Sequence, residues 1–352
     1  MTDADTPRRH SRAGLYVPFA IVLIALVAWT GWWFYLTRQV EQRLETQVTR
    51  LQAQGWQVKH ARVTTTGWPF RARIAIPHPE IIAPSGLGVA APELVAEATA
   101  YNPTKWMVIA PEGLTLTRGD KGKVAVRGDA IRLSVHGLTQ AWPNVALELA
   151  NPVFTALPGA EPFPVSGAGK VEFYLRPHIV GSSAPTDSID VLFRLIDARG
   201  RQAGPVEAMT RNGLLTVQLE GVIQKAALLR GADTAGVFAA WTRGGGEFTR
   251  VRGELKAGDS RALVSSERLA AGADGRVQGT VSLKAEQPLG AIAGLAGSRS
   301  GAVDRVGAGA AALAAGAAGA GPGGDAIDLD LVFRDGRTYL GPFTLAPAPK
   351  LF

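Results

Sequence analysis

The chain has 352 residues, of which 46% are hydrophobic and 19% charged, so it can bury one large core or two ordinary ones. It has no cysteine, which excludes disulfides and thiolate metal sites and fits an oxidising compartment. The net charge is +7, but the basic residues are scattered, which predicts no nucleic-acid partner and leaves anionic lipid headgroups or general solubility as the reason for the charge.

An uncharged apolar run extends from Leu15 to Leu36. As a helix it is about 33 Å long, enough to cross a bilayer core of about 30 Å. It has no small-residue cleavage site, which argues against a signal peptide, the competing interpretation. We therefore predict a cytoplasmic tail over residues 1–14, a transmembrane helix over residues 15–36 and a main domain outside. Four aromatic residues crowd the C-terminal end of the run, where such rings suit the headgroup level: Trp29, Trp32, Trp33 and Tyr35.

Residues 37–55 are predicted to continue as a juxtamembrane helix. Val40, Leu44, Val48 and Leu51 recur at helical spacing and form one apolar stripe. The stripe covers barely two heptads, so packing against its own domain is favoured over a coiled coil. Gly55 is placed as a helix stop.

From residue 56 the pattern changes to a period of two, as in Ala130–His136 and Gly169–Arg176. Such alternation is typical of antiparallel strands with one apolar and one polar face. It predicts a first β-rich block over residues 56–223. Residues 224–245 then have the apolar spacing of a helical connection.

A second β block is predicted over residues 246–286, with a hairpin turn at Asp274-Gly275. Residues 287–324 are rich in alanine and glycine and read either as a helix or as a linker. Residues 325–352 are predicted to form a C-terminal hairpin and tail. The fold class is therefore mainly β (α+β): a transmembrane helix followed by a curved antiparallel sheet with a few helices.

One short motif combines turn chemistry with aromatic residues: Gly67, Trp68, Pro69 and Phe70. Pro69 restricts its own backbone and that of Trp68, and Gly67 permits a tight turn. The structural hypothesis is a corner whose two rings pack beneath the first hairpin and seal the core. The functional hypothesis is a corner that contacts lipid or a partner.

We find no catalytic constellation. The five histidines have no metal-pair spacing. Gly319–Gly324 matches a dinucleotide-binding pattern only literally, because it follows no predicted strand. Asp328 and Asp330 share a strand face but are too few for a calcium site. The sequence therefore predicts a protein that is not an enzyme and has no cofactor and no metal site.

Several segments resemble the proteobacterial envelope family called domain of unknown function 2125. They are Thr66–Arg71, Tyr101–Trp106, Trp241–Gly246 and Asp335–Pro349. The resemblance spans about Arg38 to Phe352 and implies a membrane-anchored envelope protein without a known activity. Its general layout is similar to that of lipid-handling groove proteins of the AsmA type.

These observations lead to one functional hypothesis with two alternatives. We expect a single-pass bacterial inner-membrane protein with a cytoplasmic N-terminus, a periplasmic domain and the lipid bilayer as a partner. Its apolar sheet groove is expected to bind phospholipid. The first alternative is a scaffold or regulator that binds another envelope protein. An envelope hydrolase is the second, although no nucleophile–base pair can be named.

Overall fold

The structure, a computed structural model, describes residues 13–179, 187–211, 213–297, 309 and 326–352. Most of the predicted tail over residues 1–14 lies outside the described residues, and so does most of the predicted Ala/Gly-rich segment over residues 287–324. The elements below therefore concern the described ranges.

One continuous helix, α1 (Ala13–Ala53), contains both the predicted membrane run and the helix that follows it. Its 41 residues extend about 60 Å along the axis. The helix ends in a Schellman cap, because the N–H of Trp56 donates to the carbonyl of Leu51 and the N–H of Gly55 donates to that of Gln52. Gly55 has φ +86°, a conformation that favours glycine and explains the stop at this position.

The outer half of α1 packs on the sheet. The side chain of Gln52 donates to the carbonyl of Val58, at 3.0 Å. The four apolar residues of the predicted stripe are all half-buried: Val40, Leu44, Val48 and Leu51. The stripe thus faces the chain's own domain, as its short length led us to expect.

The described strands form one curved antiparallel sheet that folds into two layers. The main layer contains, in spatial order, β2 (Thr64–Thr66), β3 (Arg71–Pro77), β6 (Glu93–Thr99), β7 (Asn102–Ile109), β10 (Ala130–His136), β11 (Asn144–Ala150), β14 (Lys170–Pro177), β15 (Ser188–Gly200), β16 (Leu215–Gln224), β17 (Phe248–Ala257), β18 (Ser260–Ala271), β19 (Val277–Glu286), β20 (Ala326–Arg334), β21 (Arg337–Leu340) and β22 (Phe343–Pro347). The short layer contains β1 (Gln57–Lys59), β4 (Glu80–Ile82), β5 (Leu87–Ala90), β8 (Leu114–Arg118), β9 (Lys123–Arg127), β12 (Val153–Ala156) and β13 (Val165–Gly167).

From β3 to β15 the chain alternates between the layers, one hairpin at a time. The end of β15 pairs with β13, so this long strand joins the two layers. The predicted mainly β (α+β) fold with an antiparallel sheet is confirmed.

The predicted helical connection over residues 224–245 does not separate two blocks of strands. It contains a 3-10 turn (Ala226–Leu228) and the short helix α3 (Ala239–Arg243), and β16 pairs directly with β17. Gly231 and Gly236 lie between these two pieces, and glycine disfavours a continuous helix. The main layer therefore continues through both predicted blocks.

Two buried clusters hold opposite ends of the main strands. The interlayer core joins Val124 and Val126 of the short layer to Ile131 and Leu149 of the main layer. The Trp241 core joins α3 and the preceding 3-10 turn to the sheet, and its buried members are Ile189, Ile223, Ala226 and Trp241. Two further helices, α2 (Pro205–Thr210) and α4 (Pro288–Gly297), pack against each other, and they contact β15 and β18, respectively.

Candidate functional site

The apolar face of the main layer is partly uncovered along one row of cross-strand neighbours. Phe193 on β15 and Leu219 on β16 face each other and are 36% and 37% exposed. Their neighbours in the row are half-buried. We call the row the apolar strip: Val108, Leu133, Leu147, Phe173, Phe193 and Leu219.

The strip lies between the two covered ends of the strands, as β15 shows. Leu195 packs in the cluster beneath the end of the short layer, and Ile189 is fully buried in the Trp241 core. Phe193 lies between them on the same face and is the most exposed of the three. Val191 and Val217 also lie on this face and are half-buried.

The strip runs across the strands towards α1. Val108 pairs with Ala96 of β6, and Ala96 pairs with Ile74 of β3, a strand that contacts α1. From β7 to β16 there are five strand spacings of about 4.8 Å, so the strip extends roughly 24 Å. One monolayer contributes about half of a 30 Å hydrocarbon core, so the strip is long enough for an extended acyl chain.

A second surface lies where α1 meets the first strands. The indole N–H of Trp29 donates to the carbonyl of Pro69, and that of Trp33 donates to the carbonyl of Arg71, both at 2.7 Å. The indole of Trp68 in turn lies 3.3 Å from the hydroxyl of Thr30. These bonds fix the turn at residues 67–70 against the apolar N-terminal part of α1.

The hypothesis that Trp68 and Phe70 seal the core is wrong. Trp68 is 49% exposed and Phe70 is 67% exposed, and Tyr101 beside them is 75% exposed. Gly67 has φ +102° and crosses close to the backbone of Arg71, so the turn is tight, as predicted. The turn packs on the helix through its backbone carbonyls, which leaves the rings outside. We call Trp68, Phe70 and Tyr101 the aromatic corner.

Sequence reasoning missed the partners of this corner. The placement of Trp29 and Trp33 at the bilayer interface stays a prediction, but the sequence did not predict that their N–H groups donate to the carbonyls of Pro69 and Arg71. Trp33 and Leu36 of α1 are buried in one cluster with Ala100, which follows β6. The spacing of Trp29 and Trp33, one helical turn apart, was a signal for a shared face.

An ion-pair ladder crosses the opposite, polar face of the main layer. The carboxylate of Glu172 is 2% exposed and lies 2.6 Å from Lys170 and 2.7 Å from Arg194. Burial alone would raise the pKa of Glu172, but hydrogen bonds from Lys170 and Tyr174 and the charge of Arg194 outweigh it and lower that pKa. Glu148 continues the ladder through ion pairs with Arg132 and Lys170. The positive and negative charges of the ladder therefore largely cancel. The ladder links β10, β11, β14 and β15 through ion pairs on one face of the sheet.

Within the described residues, no group of three or more histidine and acidic side chains is placed to hold a metal ion. One described helix segment, Tyr16–Ala53, is long and apolar enough to cross a membrane, with a mean hydropathy of 1.9 over its most apolar window. The described chain thus combines one candidate membrane helix with a mainly β domain.

This combination defines a class of protein, a β-rich domain on a single N-terminal apolar helix. The chain belongs to the family described as "Uncharacterized protein conserved in bacteria (DUF2125)", whose model matches residues 33–349. The family resemblance noted from the sequence is thereby confirmed. No curated protein and no solved structure matches the chain.

Proposed function

We propose that this protein is a single-pass protein of the bacterial inner membrane that binds phospholipid acyl chains on the apolar strip and has no enzymatic activity. The N-terminus lies in the cytoplasm and the β domain in the periplasm. The observation that carries the proposal is the exposure of Phe193 and Leu219 in a continuous apolar row. No described element covers this part of the row.

The physical argument is the cost of leaving that row in water. Each 100 Å² of apolar surface covered by an acyl chain contributes about 2.5 kcal/mol. Soluble monomers rarely expose contiguous apolar patches larger than a few hundred Å², and such patches mark sites for a ligand or partner. The face that carries the strip continues through Ala96 to Ile74 on β3, the strand that contacts α1, so a lipid that leaves the bilayer next to the anchor reaches the strip without crossing the polar face.

The aromatic corner supports the membrane placement. Thr30, which contacts Trp68, precedes the first charged residue after the anchor, Arg38, by eight positions or about 12 Å of helix. If Arg38 lies at the membrane surface, Trp68 and Phe70 lie within the outer interface of the bilayer. Indole and phenol rings, here those of Trp68 and Tyr101, favour the bilayer interface. In this arrangement the domain rests on the membrane through the corner as well as through the anchor.

Site-specific photo-crosslinking in cells tests the lipid site. A benzophenone amino acid in place of Phe193 should capture phospholipid, and the same probe in place of Leu219 should do so as well. The matched control is Gln218, which is exposed on the same strand but on the opposite face. Capture of a protein in place of lipid at Phe193 would favour the scaffold alternative, and equal lipid capture at Gln218 would contradict the proposal.

The absence of cysteine allows a direct test of the corner. A spin label on Phe70→Cys, in the full chain reconstituted in a bilayer, should be accessible to oxygen and shielded from a water-soluble nickel chelate. Leu263→Cys is the control, because Leu263 is 49% exposed on β18, far along the sheet from the anchor. If the labels at both positions were equally accessible to the nickel chelate, the corner would not enter the membrane.

A further inference from the structure

A recess of about 780 Å³ lies on the polar face of the main layer, on the side opposite the apolar strip. It extends across β10, β11 and β14 to β17. Its floor consists of small or apolar side chains, namely Ala146, Leu192 and Val222. Charged side chains form its rim, so the recess can take a ligand that has both an anionic and an apolar part.

Four arginines line the recess against two carboxylates, Asp190 and Glu220. Two of the arginines are already paired: the guanidinium of Arg176 lies 3.0 Å from Asp190, and that of Arg194 contacts Glu172 of the ladder. The other two are Arg250 and Arg252 of β17. Within the described part of the chain, neither has a carboxylate within 4.0 Å.

The backbone directs both of these arginines to the recess. The pairing of β16 with β17 shifts between Glu220 and Val222, so Arg250 and Val251 together oppose Gly221. This is a β-bulge, a device that changes the direction of side chains and is frequent beside binding sites. Arg250 has φ +52°, a left-handed conformation that costs of order 1 kcal/mol for a residue other than glycine.

We propose that this recess binds a phosphate group, either of a soluble phosphate compound or of a phospholipid headgroup. Guanidinium groups bind phosphate oxygens through two parallel N–H donors, and two unpaired arginines offer this twice. His136 and His178 also line the recess, and His178 contacts Asp190. The site is separate from the apolar strip, so it stands even if the strip holds no lipid.

Binding to the purified full chain tests the proposal. Inorganic phosphate is titrated calorimetrically against the protein in a neutral detergent. In a second arm, the protein is placed in phosphatidylcholine nanodiscs that contain increasing fractions of phosphatidylglycerol. The quantity measured is the phosphatidylglycerol bound to the protein at each fraction. The double variant Arg250→Gln/Arg252→Gln should weaken saturable binding at least tenfold in whichever arm shows it. Binding in the first arm identifies soluble phosphate, and binding only in the second identifies a headgroup.

The control is Arg127→Gln/Arg199→Gln, which removes the same charge from exposed strand positions outside the recess. It should leave binding unchanged, and both double variants should melt at the wild-type temperature. Absence of saturable binding in both arms would overturn the proposal. An equal loss in the control variant would also overturn it, because binding would then follow net charge and not the recess.

Discussion

Replacement of Trp241 by alanine tests the main packing argument. Trp241 is fully buried, its N–H donates to the carbonyl of Gln224 at 2.7 Å, and its ring packs on Phe238 and Phe248 with centroids 5.4 and 4.9 Å away. Truncation of a large buried aromatic costs about 3–5 kcal/mol. Trp241→Phe keeps much of the packing but leaves the carbonyl without its donor, at a cost of about 1–3 kcal/mol.

The assay is thermal unfolding of the detergent-solubilised full chain, followed by near-ultraviolet circular dichroism. At about 2–4 °C per kcal/mol for a domain of 150–250 residues, Trp241→Ala should lower Tm by roughly 6–20 °C. Trp68→Ala is the matched control, because Trp68 is half-exposed at the aromatic corner, and surface changes stay within about 0.5 kcal/mol. A Tm for Trp241→Ala within 2 °C of wild type, or an equal loss for Trp68→Ala, would refute this account of which tryptophan holds the domain.

Three further outcomes are expected. The pKa of Glu172 is lowered in the folded state, so its contribution to stability is present above its unfolded pKa of about 4.3 and is lost as the pH falls through the folded pKa. Glu172→Gln should therefore reduce the slope of Tm against pH below pH 5 and cost about 1.5–3 kcal/mol at pH 7. Gly294→Ala should lower Tm, because its new methyl group would collide with the carbonyl of Ala208 where α4 crosses α2, whereas unchanged stability would show that the helices separate freely. A reporter active only in the periplasm should be active when fused after Phe352, and activity only of a cytoplasmic reporter would reverse the topology.

Much of the local structure follows from residue order alone. The run from Leu15 to Leu36 predicts a membrane-length helix because no charged side chain interrupts it, and α1 contains the whole run. Alternation in segments such as Ala130–His136 predicts strands with two unlike faces because successive side chains point to opposite sides. Gly55 predicts the helix end because a positive φ is inexpensive for glycine.

The corner shows where sequence reasoning fails. The residues of Gly67–Phe70 predict a tight turn, but not which surface the turn meets, because that depends on contacts between residues far apart in the chain. The structure places the turn against Thr30 and Trp29, about 40 positions away, and this contact turns the rings of Trp68 and Phe70 outward.

The sequence by itself determined the long apolar helix, the antiparallel strands and their two faces, since each depends on local spacing and backbone preference. Only the tertiary structure decided which part of the apolar face is covered. The short layer buries Leu149 and leaves Phe193 exposed, although both are apolar residues in alternating strands. It also decided that Arg250 lies at a bulge beside the recess, because the bulge arises from the register of two strands and not from either strand alone.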